Sequence, residues 1–298
     1  MTESPDSNAG LWRFLFEQLP VRGALLRIGT EWGELLAHRP YPDAVRQLLG
    51  EAIAAAPLLA STLKTPGRLT LQAESEGAIK LLLVQVSHVL EVRGMARHEA
   101  QMDGSGLALL GNGRMALIVE PAAPAPRYQT LVPLVGSSLQ ESLMHYFRQS
   151  EQLPTWLMLH ADASGLAGLM LQRLPAVGDV EADAIEEGWH RLGLLADTLQ
   201  VRELMTLPIP QLLQRLFHQE DLRLFEPQPV HLRCRCSHGR ISEMLLGLGR
   251  KEVDDILAEQ GRLQIECGFC GRSYTYLPAE VSQLFAASTA DPAGGSRH

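Results

Sequence analysis

All four cysteines of this 298-residue chain fall between positions 234 and 270, and the first 233 residues contain none. They form two close pairs, Cys234-Arg235-Cys236 and Cys267-Gly268-Phe269-Cys270, with 30 residues between the pairs. Two close pairs separated by a short folded stretch are how a chain brings four thiolates around one tetrahedral Zn²⁺. Gly268 and Gly271 suit a tight knuckle in which backbone amides turn toward sulfur. Arg233, Arg235 and Arg272 lie where they would offset the negative charge of a zinc tetrathiolate. Four thiolates leave no open position for water, which argues against a catalytic metal. His231 and His238 flank the first pair as alternative ligands, but four cysteines already complete the shell.

The first pair is Cys-X-Cys, whereas common zinc ribbons carry Cys-X-X-Cys on both sides. Each pair is close enough in sequence to close its own disulfide if the metal leaves, although four cysteines admit three pairings. Thiolates held by a metal and neighbouring arginines are nucleophilic at neutral pH. Oxidising them destroys the ligands, and with them the metal and any fold that depends on it.

The rest of the chain reads as ordinary globular protein, 46% apolar and 20% charged, long enough for two domains or one large and one small. The formal net charge of −8 does not favour a nucleic-acid binder, which needs a basic face. The N-terminus, with acids at Glu3 and Asp6, lacks the basic and apolar regions of a secretory signal. The longest apolar run, about Ala52 to Ala60, falls far short of the ~20 residues of a membrane span. These features predict a cytoplasmic protein, where four cysteines do not form permanent structural disulfides.

Residues 1–175 are expected to form a mixed α+β core. Val45, Leu48, Leu49, Ala52, Ile53 and Ala56 trace one face of a helix, which Pro57 should end or kink. Strand-like runs follow at Leu69–Leu71, Ile79–Val86, Met115–Val119, Trp156–Leu159 and Leu169–Leu171. Helices and strands do not alternate simply, so α+β fits better than a doubly wound sheet. An acid run at 179–187 then opens a helical linker, residues 176–230. Its apolar stripes are Trp189, Leu192, Leu195 and Leu199, then Ile209, Leu212, Leu213, Leu216 and Phe217. A small unit, residues 231–286, should hold two short helices, a hairpin of Gln264–Glu266 and Tyr274–Tyr276 around the second cysteine pair, and a last helix from Pro278. Its core is too small for confident folding without a metal. Residues 287–298 read as a disordered tail.

The Cys-X-Cys, 30-residue gap, Cys-X-X-Cys pattern near the C-terminus resembles the 33-kDa heat-shock-protein family of redox-regulated chaperones. Upstream stretches are similar too: Val21-Arg22-Gly23, Leu58–Lys64, Gly111-Asn112-Gly113, Tyr146-Phe147 with Ser150–Thr155, and Gly168–Gln172. Glu252–Leu257 matches within the sensor region. The resemblance implies a reduced, inactive monomer carrying one Zn²⁺ on Cys234, Cys236, Cys267 and Cys270. It further implies that oxidation forms disulfides Cys234–Cys236 and Cys267–Cys270 and releases zinc. The sensor and linker then unfold, and the protein dimerises and holds unfolding client proteins without ATP. After Cys236 the chain departs from the family pattern, with Ser237-His238-Gly239-Arg240 where a more charged run is expected. Gly239 should weaken the start of the following helix.

Other constellations carry less. Ser142 and His145 are three apart on a helix, with no nucleophile elbow, and read as exposed helix residues. The glycines between 104 and 113 lack the Gly-Lys-Ser/Thr of a nucleotide loop and read as a turn between strands. No enzyme is expected. The competing class is a zinc-ribbon adaptor or nucleic-acid binder that stays reduced, to which Arg233, Arg235, Arg240, Arg250 and Lys251 give some weight.

Overall fold

The computed structural model describes residues 10–100, 102–122, 125–175 and 181–290, with the backbone alone described at 288–290. The strands are β1 (Gly10–Phe16), β2 (Val21–Ile28), β3 (Gly67–Glu74), β4 (Ile79–Ser87), β5 (Glu91–His98), β6 (Arg114–Pro121), β7 (Tyr128–Val132), β8 (Thr155–Asp162), β9 (Gly165–Arg173), β10 (Leu222–Leu224), β11 (His231–Leu232), β12 (Leu263–Glu266) and β13 (Ser273–Tyr276). The helices are α1 (Trp32–Leu35), α2 (Asp43–Ala60), α3 (Leu139–Gln149), α4 (Ala182–Ala196), α5 (Val201–Thr206), α6 (Ile209–Leu216), α7 (His238–Leu248), α8 (Arg250–Gln260) and α9 (Pro278–Ala290). The class is α+β, as the mixed pattern predicts. The chain divides between Arg233 and Cys234 into two compact units.

The first unit is built from two sheets, ordered β10-β1-β2-β9-β8 and β11-β5-β4-β3-β6-β7. Helix α2 packs on β2, β8 and β9 of one sheet and on β3, β4 and β5 of the other, so it forms the layer between them. This corrects the reading of α2 as one-faced. The six predicted apolar positions are buried, and so are Ala54, Ala55, Leu58 and Leu59. A helix covered on two sides must be apolar nearly all round. Two glycines let the sheets close on it. A Cβ at Gly94 would stand 3.1 Å from Ile53, and one at Gly168 only 2.7 Å from Leu58. Pro57 does not end the helix, which continues to Ala60; Ser61 then donates its backbone N–H to the Pro57 carbonyl at 2.9 Å. With Pro57 in the final turn, one lost backbone hydrogen bond is outweighed by burial on both sides.

The sheet containing β1 is buried on both faces. One face joins the α2 core, through Leu11, Leu26 and Met170. The other carries Phe14, Phe16, Leu25, Leu169 and Leu171 and is covered by α4, α5 and α6. Of the second apolar stripe, Ile209, Leu212, Leu213 and Leu216 are buried on α6. Phe217 follows, its ring edge-on to Phe16 at 5.2 Å between centroids. Trp189 and Leu195 of the first stripe are partly buried in the same cluster, beside buried Leu192 and Leu199. Arg27 of β2 lies beneath α5 and donates Nε–H to the Leu204 carbonyl at 3.0 Å. Burial lowers its pKa to about 10.

Past α6 the chain borders both sheets in turn. β10 pairs antiparallel with β1, Leu11 and Gln228 exchange backbone hydrogen bonds of 2.9 Å, and β11 pairs parallel with β5. The Gly104–Gly113 stretch contains a 3-10 turn, Gly106–Leu110, between β5 and β6. No helix among the described residues is long and apolar enough to cross a membrane.

The second unit holds α7, α8, the antiparallel β12–β13 hairpin and α9. Its buried core is small: Leu245, Val253, Leu263, Tyr274, Tyr276 and Val281. Ser237 caps α7 by accepting the Arg240 N–H at 3.2 Å, which offsets the weak start that Gly239 imposes. Helix α9 runs through Ala290, past the position where the sequence pattern fades. Residues 291–298, and Asp179 and Val180 of the acid run, lie outside the described residues.

Candidate metal centre

Two local devices bring the cysteines together. Cys234 and Cys236 lie on the extended segment that Ser237 ends by opening α7. Cys267 and Cys270 form the tip of the β12–β13 hairpin, where Cys267 N–H donates to the Arg272 carbonyl and Gly271 N–H to the Cys267 carbonyl, each at 2.9 Å. Gly271 has φ +73°, a conformation that favours glycine. Gly268 has no such φ and faces open space, so of the two knuckle glycines only Gly271 is required by the backbone.

The four sulfurs lie within 4.8 Å of one another, with Cys234···Cys267 at 3.6 Å and Cys236···Cys270 at 3.4 Å. Four sulfurs about 2.3 Å from a central Zn²⁺ would stand about 3.8 Å apart. The donor set and its spacing therefore fit one tetrahedral metal ion. Cys270 is buried and the other three are partly exposed, which leaves a path for small oxidants. Because sulfurs of both pairs interleave, the geometry leaves all three disulfide pairings open.

Backbone amides turn toward sulfur, as the knuckle reading predicts. The Cys236 amide bonds Cys234, the Phe269 and Cys270 amides bond Cys267, and the Arg272 amide bonds Cys270. Burial pushes the Cys234 and Cys270 thiols up. Burial also opposes the Cys267 thiolate, but its two amide bonds and the Cys234 and Cys236 side chains outweigh it and bring Cys267 down to about 7. A cluster with one thiol already near neutrality is prepared to lose protons to a cation.

Cys236 takes a donor from a side chain: the Tyr274 hydroxyl, at 3.1 Å. Tyr274 is in turn hydrogen-bonded to Arg272, whose guanidinium is also attracted by Cys236 and Cys270. Arg272 is thus one of the predicted cations that act on the cluster. Arg233 belongs to the first unit, where its amide donates to the Val92 carbonyl. Tyr274 and Tyr276 were predicted only as hairpin residues; the closeness of Tyr274 to a sulfur depends on how the hairpin folds back beside Cys236.

Neither flanking histidine belongs to the sulfur group. His231 lies in β11, its amide donating to Leu90. The His238 ring stands 4.5 Å from that of Tyr276, whose hydroxyl donates to the His238 carbonyl at 2.9 Å. Ser142 is corrected: it is fully buried, and its hydroxyl bridges the Val135 amide and carbonyl at 2.9 Å each, anchoring α3.

A family model described as Hsp33 protein matches residues 10–277. The 33 kDa chaperonin of Nitrosococcus oceani is 42% identical over 289 residues, 97% of this chain and 98% of that protein. That of Azotobacter vinelandii is 44% identical over 290 residues, covering 96% and 97%. The crystal structure of the 33 kDa chaperonin (heat shock protein 33 homolog) from Thermotoga maritima superposes with a TM-score of 0.76 at 21% identity, covering 95% of this chain and 99% of that one.

Proposed function

The chain belongs to the Hsp33 family, and we propose that it is a cytoplasmic, redox-regulated, ATP-independent holdase chaperone, inactive while reduced and zinc-bound. The observation that carries this reading is the set of four sulfurs within 4.8 Å of one another. When bound, Zn²⁺ would neutralise the thiolates and supply the stability that a core of six buried apolar side chains does not. Cys234, Cys236, Cys267 and Cys270 would hold it, the backbone amides orient their sulfurs, and the partly exposed thiolates meet the oxidant. Oxidation to Cys234–Cys236 and Cys267–Cys270 removes the ligands. The second unit then loses its fold, and the stripe Ile209, Leu212, Leu213, Leu216 and Phe217 acts as a latch that releases apolar surface for unfolding clients and for a homodimer partner.

The test is one preparation assayed twice. Reduced protein should retain zinc and fail to suppress aggregation of a thermally unfolding client; peroxide-treated protein should have lost zinc and suppress it. Equal activity in both states would defeat the reading.

Two narrower outcomes follow. X-ray absorption on reduced protein should report one zinc with four sulfur neighbours near ~2.3 Å. A nitrogen neighbour would bring His238 or His231 into the shell, and absence of zinc would end the proposal. Peptide mapping of oxidised protein should find 234–236 and 267–270, because short loops close with little entropy loss. A main bridge of 236–267 or 236–270 would refute the pairing.

A further inference from the structure

We propose that Tyr274 is a positioning residue that sets how fast the sulfur cluster is oxidised, by donating its hydroxyl hydrogen to Cys236. The inference rests on the zinc-thiolate reading above. The O–H···S contact is 3.1 Å, and the Tyr274 residue as a whole is 8% exposed. Its ring is fixed in the core of the second unit with Leu245, Val253 and Val281. Arg272 is hydrogen-bonded to the same side chain. The guanidinium cannot give up its proton, so it donates to the phenol oxygen and polarises the O–H toward sulfur. The result is a relay, Arg272 to Tyr274 to Cys236, that draws charge from one thiolate.

The chemistry depends on that charge. The Cys236 thiolate attacks hydrogen peroxide, the O–O bond breaks, sulfur keeps one oxygen as sulfenic acid, and the other leaves as hydroxide and is protonated to water. A neighbouring cysteine thiol then attacks that sulfur, the S–S bond forms, and the sulfenic oxygen leaves as a second water. Two electrons pass from the cysteine pair to one peroxide. A hydrogen bond to sulfur ties up the lone pair that must attack, so it slows the first step while leaving the ligand set intact. The neighbouring Tyr276 provides an internal control. Its hydroxyl contacts Ser242 at 3.0 Å and the His238 carbonyl at 2.9 Å, and it serves the local fold.

Tyr274→Phe keeps the ring and removes the donor. In reduced, zinc-loaded protein, peroxide-driven zinc release followed with a chromogenic chelator should be about three- to tenfold faster than in wild type, the factor expected for one net hydrogen bond. Zinc retention without peroxide should be unchanged. The cadmium-113 resonance of the cadmium-substituted variant should move, since a ligand sulfur has lost its donor. Tyr276→Phe should leave both the release rate and the resonance as in wild type. Arg272→Gln, which keeps the tyrosine, should give a smaller acceleration, and it carries the test if Tyr274→Phe does not take up metal. Release within twofold of wild type, or faster loss already without peroxide, would overturn the proposal, the latter by showing a purely structural role. Failure of wild-type protein to bind zinc or to release it on oxidation would instead defeat the underlying functional reading.

Discussion

Stripped of metal by a chelator while its cysteines are kept reduced, the unit from Cys234 to Ala290 should unfold and the first unit should not. A structural zinc contributes roughly 10–16 kcal/mol of apparent binding free energy near neutral pH. That matches or exceeds the whole stability of a typical domain, about 5–15 kcal/mol. Among its described residues the second unit buries six apolar side chains besides Cys270, and its hairpin tip is shaped by amides aimed at sulfur. Four thiols packed within 4.8 Å, with no cation among them, lose the reason for that shape. Hydrogen exchange should therefore report lost protection in α7, α8 and the β12–β13 hairpin. Amides of β3 and β4, in the interior of their sheet, should stay protected. Re-addition of zinc should restore the pattern. Persistent protection of α7 and α8 after zinc removal would mean that the small core suffices, and the metal would not be the switch.

Replacing Leu212 and Leu216 together with Ser should yield chaperone activity in reduced, zinc-loaded protein. Both leucines are buried, at 0% and 4% exposure, in the cluster where α6 meets Phe14, Phe16 and Leu169. Truncating one buried leucine costs about 2–5 kcal/mol, and burying a hydroxyl without a partner adds to it. Two such changes weaken docking of the helical segment by at least about 4 kcal/mol, a factor on the order of 10³. The segment also covers a charge that gains from its departure. Arg27 is 5% exposed, it bonds a carbonyl rather than a carboxylate, and its Nη1 has no protein partner among the described residues. Lifting α5 would return that cation to water. The measurement is suppression of a thermally unfolding client's aggregation under reducing conditions, with zinc content determined alongside. A double variant that stays folded, zinc-loaded and inactive would show that α6 is not the latch, leaving the switch to the second unit alone.

Legibility of the fold followed the physics of periodicity. The runs at Leu69, Ile79, Met115 and Trp156 alternate or are flanked by turn residues, and each lies in a strand. β2, with the sequence Val-Arg-Gly-Ala-Leu-Leu-Arg-Ile, gave no such signal, because it is buried on both faces and a two-residue period has nothing to mark. The same cause misled the reading of α2. A one-sided stripe was visible in Val45, Leu48 and Leu49, but the second sheet behind Ala54 and Ala55 was not. The two-residue pairing of β11 with β5 is set by a partner well over a hundred residues away and leaves no local pattern.

By itself the sequence determined the candidate ligand set, since no other cysteines exist to compete, and it determined the hairpin and helices that carry those cysteines. It also pointed to a C-terminal unit too short to rely on its core alone. Only the tertiary structure decided which groups touch the sulfurs. Tyr274 stands four residues past Cys270 and reaches Cys236 across a separation of 38 residues. Likewise only the fold set Arg27 beneath Leu204, 177 residues away. Spacing along a chain constrains neighbours within a turn or a hairpin. Contacts between distant segments depend on how the layers stack, and that follows from summed burial over the whole core rather than from any motif.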